Sequence, residues 1–263
     1  MVLLPDFVAL VVAVALCALY RWALLRARRS NRPYTGRVGR RPLVFACSIA
    51  VMLGAFALPG TAVLPQMLEH VLLAFAVPPL LLLGLPRPVL VPLFERRRSR
   101  RLMQFLTRPL QAIVLFLVVL FVWYAPELFN ATLTDPGVRV LAGLTILIVS
   151  VLFWWPVIEP LPSWHPELAE LGKLLYLFVG STALKVLGFI LAFAPRPIYH
   201  LPATPRLLWG LSPLEDQQGA GLLMLVAGTL VLLAAATVVC ARLFAADEAA
   251  ATYQPSPGGG PGG

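Results

Sequence analysis

The sequence predicts an all-α protein: a polytopic transmembrane helical bundle of about seven helices, N-terminus outside and C-terminus cytoplasmic. Composition is the first observation. Of 263 residues, 59% are hydrophobic and only 13% are charged, against about 25% charged in an ordinary soluble domain. With a mean hydropathy of +0.84, the chain lacks the charges to build a soluble surface. Periodicity is the second: the apolar residues gather in runs near the ~20 residues a helix needs to cross a bilayer core. The third is the distribution of arginine between the runs.

The runs lie at 6–25, 43–58, 66–86, 109–125, 139–156, 173–194 and 215–244. None alternates with the period of a barrel strand. Helices are then the form that satisfies every backbone polar group within the segment. The first run has no basic residues before it and reads as a retained helix rather than a signal peptide. The second is short, and the last is long enough to tilt or protrude. Neither an internal repeat nor a second domain is visible, so residues 1–244 form a single transmembrane domain. Residues 245–263, ending QPSPGGGPGG, are expected to be a disordered Pro/Gly-rich cytoplasmic tail.

Orientation follows from loop cations. Seven arginines lie between Arg26 and Arg41, and seven between Arg87 and Arg108. With seven spans, Lys173 and Arg242 fall on that same side, which becomes the cytoplasmic one. Arg139, Arg196 and Arg206 fall opposite. The net charge of +9 is therefore a topology signal facing anionic headgroups of the lipid bilayer, and no nucleic-acid partner is expected. Cys17, Cys47 and Cys240 each sit in an apolar run and suggest no disulfide framework.

Polar residues at membrane depth are the informative ones. The third run opens Gln66, Met67, Leu68, Glu69, His70. Gln66 and Met67 are four and three residues from His70, which puts each on its helix face. His with Met suits copper, and a thioether favours Cu(I); the alternative is that Glu69 and His70 hydrate a helix end. The last run opens Glu215, Asp216, Gln217, Gln218. Ser212 with Glu215 fits a capping box. Gln217, Gly221 and Met224 share a face, and Gly221 with Gly228 allows close helix contact. Lys185 lies deep in the sixth run, with Glu69 or Asp216 as its expected partner. His200 falls in the outer loop, within reach of His70 and Asp216. His165, with Trp154, Trp155 and Trp164, reads as interfacial. His70 and Asp216 are expected to face one another across a small outward-open cavity, with Met67 or Met224 in its wall. The chain has no HExxH, Walker, GxSxG or CxxC motif.

Two stretches resemble the multi-pass cytochrome c oxidase assembly factor CtaG family. Gln66 to Pro86, QMLEHVLLAFAVPPLLLLGLP, resembles its His-Met-x-x-His stretch leading to Pro-Pro-Leu-Leu and Leu-Gly-x-Pro. Met67, His70, Pro78, Pro79, Gly84 and Pro86 match. Leu211 to Met224, LSPLEDQQGAGLLM, resembles its Asp-Gln-Gln run, with Asp216, Gln217, Gln218, Gly221 and Met224 matching. WWPV at 154–157 and AFAPRPIY at 192–199 are similar to its spacer segments. Gln66 stands where the family has its first His, and an amide oxygen is a poor copper ligand. Glu69 and Lys185 also depart from the pattern.

The resemblance implies a membrane assembly factor for haem–copper oxidase in the bacterial plasma membrane. Its partners would be oxidase subunits or other assembly factors, and it would not be an enzyme. Copper is the implied candidate cofactor. Met67 and His70 would supply two ligands, with His200 or Met224 as a third. Asp216, Gln217 and Gln218 would orient them. The competing function is a transporter of a metal ion, proton or small solute, using Lys185, Glu69 and Asp216 as a charge relay.

Overall fold

The computed structural model describes residues 3–29, 40–85, 90, 97–161, 168–202 and 210–252. These form helices and no strand. In chain order they are α1 (Leu3–Arg29), α2 (Arg41–Phe56), α3 (Val63–Gly84), α4 (Arg97–Leu106), α5 (Pro109–Trp123), α6 (Pro126–Thr134), α7 (Pro136–Ile158), α8 (Glu170–Phe193) and α9 (Pro213–Thr252). Pro109, Pro126, Pro136 and Pro213 each open a helix, where a missing N–H costs nothing and φ is already set.

All seven expected runs are helical. Five helices are long and apolar enough to cross a membrane: α1, α3, α7, α8 and α9. The 16-residue α2 is shorter. α5 reaches the length only together with α4, from which it is bent by 73°. α4 and α6 lie where loops were expected. α4 carries Arg97, Arg98, Arg100 and Arg101 and buries none of its residues. Leu102 and Phe105 on it are exposed, the amphipathic pattern of a helix at an interface. α9 continues to Thr252, past the expected boundary at residue 244; residues 253–263 lie outside the described residues.

Prolines shape the middle of α3. Pro78 has no N–H, so the carbonyl of Ala74, four residues earlier, loses its helical donor. The helix widens into a π-turn at Leu72–Ala76, and the Trp154 indole Nε1 donates to the Ala74 carbonyl at 2.9 Å. This corrects the interfacial reading of the tryptophans: Trp154 and Trp155 are 9% and 4% exposed, within the core. Trp164 and His165 lie outside the described residues. Next to Trp154, Phe153 stacks between Phe116 of α5 (4.3 Å between centroids) and Tyr176 of α8 (4.9 Å). The Tyr176 hydroxyl donates to the Phe153 carbonyl at 2.9 Å, locking α5, α7 and α8 together.

α8 and α9 pack backbone to backbone. A Cβ on Gly221 would lie 2.4 Å from the Ala192 nitrogen and 2.5 Å from the Gly188 carbonyl oxygen. The face expected to admit α3 to α9 therefore admits α8, and small residues give the close approach that membrane helices use. Gly219 is different, since its nearest neighbour would be a Leu64 methyl at 3.7 Å. Gly221→Val should push α8 from α9 and destabilise the protein by about 1–3 kcal/mol or more. Gly219→Ala should be near neutral. Thermal unfolding of the detergent-solubilised variants checks the pair, and equal effects would refute the contact.

A buried polar cluster at the candidate functional site

α3 begins without a side-chain cap of its own; Ala62 precedes it in extended conformation. Its first-turn N–H groups need acceptors, and Pro65 offers no N–H. Asp216 of α9 supplies the acceptors: Oδ2 accepts from Val63 N–H at 2.7 Å, and both carboxylate oxygens lie 3.3 Å from Leu64 N–H. One helix start is thus capped by another, with the anion at the positive end of the α3 dipole. α9 has its own cap. Ser212 N–H donates to Glu215 Oε2 at 2.7 Å, and Glu215 N–H to Ser212 Oγ at 3.3 Å, the reciprocal pair expected from Ser-x-x-Glu.

Glu69 and Arg139 form the charged centre of this end. Arg139 Nε and Nη2 donate to Glu69 Oε2 at 2.9 and 2.5 Å. Nη2 also reaches the carbonyls of Leu58 at 2.6 Å and Phe56 at 3.3 Å, which the end of α2 leaves without helical donors. Gly60 leaves room for the guanidinium, since a Cβ there would lie 2.3 Å from Nη1. Asp135 starts α7 by accepting from Gly137 N–H and Val138 N–H at 2.7 and 3.2 Å, and this fixes Arg139 one turn on. The side chains of Glu69 and Arg139 are 0% and 10% exposed. At such depth each charge depends on its partner.

His70 lies beside this pair in an aromatic wall. Its ring is 5.7 Å from that of Tyr124 and 6.2 Å, edge-on, from that of Phe129. Its Nε2 lies 3.0 Å from Gln66 Nε2. The Gln66 amide and the His70 ring thus share one hydrogen bond, its direction set by the imidazole tautomer and the amide orientation. Phe129 packs on Tyr199 at 4.2 Å, whose hydroxyl donates to the Tyr124 carbonyl at 3.0 Å. Gln217 Oε1 accepts from Ile198 N–H at 2.6 Å and Tyr199 N–H at 3.2 Å. Gln218 Nε2 donates to the Ala194 carbonyl at 3.3 Å. The Asp-Gln-Gln run thus ties down the start of α3 and the chain leaving α8. Gln66 Oε1, Glu69 Oε1, His70 Nδ1 and Gln217 Nε2 have no hydrogen-bond partner among the described residues.

Several expected positions are corrected. Gln66, Met67, Glu69, His70, Asp216 and Gln217 are all 0% exposed, and Met224 is 1% exposed. They are enclosed, so no outward-open cavity separates His70 from Asp216. His200 lies on α6: its backbone N–H donates to Asn130 Oδ1 at 2.9 Å, and its Nδ1 is 3.3 Å from Asn130 Nδ2. Met224 packs on the α8–α9 seam, its Cβ 3.0 Å from where a Gly188 Cβ would lie. Glu69 pairs with Arg139 and Asp216 with backbone N–H groups, so neither is the partner of Lys185. Lys185 is half-buried beside Gly228 and makes no ion pair among the described residues. Of the four candidate copper ligands, Met67 and His70 alone share a buried helix face. His70 Nε2 is engaged with Gln66, and the described residues hold no group of three His, Cys, Asp or Glu placed for a metal. With His200 and Met224 placed elsewhere, two of the four expected copper donors, Met67 and His70, are left on one buried face.

The residues missed in sequence are Arg139, Tyr124, Phe129, Asn130 and Tyr199. Arg139 offered one signal, as a charge at the first position of an apolar run. The tyrosines, Phe129 and Asn130 offered none, because their partners come from distant segments.

A helical membrane protein whose polar residues turn inward at the shared ends of its helices is defined by these observations. Residues 18–246 match the family of cytochrome c oxidase caa3 assembly factors (Caa3_CtaG). The chain belongs to that family, the one its two motifs resemble. No curated protein and no solved structure matches it.

Removing the guanidinium should be the more damaging change to the charged pair. Arg139→Ala strands a buried carboxylate and two carbonyls, and should cost about 3–5 kcal/mol. Glu69→Gln keeps an acceptor facing Arg139 and should cost less. Combining them should be less than additive in thermal unfolding, and strict additivity would show that the two side chains do not act as a pair.

Proposed function

We propose that this protein is a multi-pass scaffold of the bacterial plasma membrane, holding haem–copper oxidase subunits or other assembly factors during maturation. It does so without a reaction of its own. Family membership supplies the oxidase. One observation favours a scaffold over a carrier: the motif residues are spent on internal ties. Asp216 caps α3, Gln217 and Gln218 hold the chain after α8, and Glu69 holds Arg139. The same ties speak against a charge relay through Lys185, Glu69 and Asp216, because both carboxylates are committed elsewhere. The apolar outer faces, such as Leu222, Val226 and Leu230 of α9, are left for lipid or a client helix.

The seven-span topology, N-terminus outside, belongs to the same proposal, with α2 and α5 as the short spans. It is supported by which ends lie together. The starts of α3, α7 and α9 meet the ends of α2 and α8, as alternating spans require. Reporter fusions in segments 30–39 and 91–96 should read as cytoplasmic, and an external signal from either would reverse the assignment.

Deleting the protein should lower assembled oxidase, and added copper should leave the defect in place. Rescue by copper would support metal delivery instead, and an unchanged oxidase would remove the assembly role. His70→Ala opens a cavity in the aromatic wall and should reduce oxidase maturation while the protein still accumulates. Full maturation would show that the wall plays no part.

A further inference from the structure

The opposite ends of α3, α7 and α8 line, with α9, a half-open cavity of about 720 Å³. That is within the range of sites that envelop an organic ligand, about 300–1,000 Å³. Its walls are apolar, among them Phe75, Trp154, Leu177, Val231, Ala235 and Val238. Among the described residues its charged lining is Glu159, Glu170 and Lys173.

Glu159 goes against local preference twice. Its φ of 49° is left-handed, and it is the sole non-glycine residue with positive φ among the described residues. Glycine or Asn is the ordinary choice there. It also places a carboxylate at the C-terminus of α7, the negative end of the helix dipole. A residue that breaks local rules in this way marks a site where something other than folding sets the choice. Lys173 Nζ lies 3.4 Å from Glu159 and 3.3 Å from Glu170, so one ammonium is divided between two carboxylates. Both contacts are longer than the ~2.7–2.9 Å of a tight charged hydrogen bond. Glu159 keeps accepting capacity for a second cationic donor.

We propose that this cavity binds an aminophospholipid. An acyl chain fills the apolar part, the headgroup ammonium pairs with Glu159, and the phosphate meets Lys173. The apolar walls require a long hydrocarbon, and the carboxylate calls for a cation on it. An anionic phospholipid without an amine would meet Glu159 with like charge. This site is separate from the buried cluster and does not depend on the proposed role in oxidase assembly.

The test is lipid retention. The full-length protein is purified in detergent from membranes, or from nanodiscs of equal phosphatidylethanolamine and phosphatidylglycerol, and its bound lipid is read by native mass spectrometry. Wild type should retain phosphatidylethanolamine over phosphatidylglycerol by about fivefold, the scale of a partly exposed ion pair. Glu159→Gly should abolish the preference while raising the unfolding temperature, because it relieves the left-handed strain. Glu159→Asn, also tolerated at that φ, should behave alike in selectivity. Ala235→Trp should displace the lipid altogether while leaving the rim charges in place. Equal retention of the two lipids by wild type, or an unchanged preference in both Glu159 variants, would overturn the proposal. So would binding of a basic client peptide at this rim in place of lipid.

Discussion

The arrangement of this bundle depends on one buried ion pair. Arg139 enters from the first turn of α7 and meets Glu69 on α3 through Nε and Nη2, and Nη2 also reaches carbonyls at the end of α2. Three helices that at this end would otherwise meet through apolar contact, their other ties being Trp154 to Ala74 and Ser48 to Val77 farther along α3, are thereby fixed in rotation and depth. In a bilayer, apolar contact alone discriminates poorly between registers, because lipid tails are as apolar as leucine. A buried charge with a single acceptable partner does discriminate. Gly60 and Gly143 belong to the same device. The first leaves space for the guanidinium, and at the second a Cβ would lie 2.8 Å from the Phe56 ring and 3.2 Å from Glu69 Oε1.

The helices were legible in the sequence because hydropathy is a local sum: every expected apolar run is a helix. α4 and α6 were not foreseen for different reasons. In α4 the arginines dominated the reading, although Leu102, Met103, Phe105 and Leu106 recur at helical spacing. In α6, Pro126 and Glu127 are ordinary signals for a helix start, set in a segment too short to attract notice. Family and oxidase role were legible because two motifs survive in order.

The pairing of polar residues was not legible. Whether Glu69 faces Arg139 or Lys185 depends on the rotation of α3, which no local pattern specifies. Arg139 was counted as a loop charge, yet it is the partner that makes Glu69 tolerable. Trp154 illustrates the same limit. Its indole answers a carbonyl released by Pro78, a relation between residues far apart in sequence. Asp216 was expected opposite His70 or paired with Lys185, and it caps the start of α3. In each case the residue type was informative and the address was not.

The cap from Asp216 to Val63 bridges 153 residues of chain, and this bears on the order of synthesis. α3 leaves the ribosome long before α9. Until α9 arrives, the first turn of α3 carries two N–H groups without the Asp216 acceptor, so this end can only be completed once α9 is made. The bundle therefore closes as a clasp rather than growing by accretion. A nascent or truncated chain stays open at the end where the aromatic wall and the ion pair must assemble, so an incomplete chain is recognisable by its unclosed end before its hydrophobic spans differ from those of the finished protein.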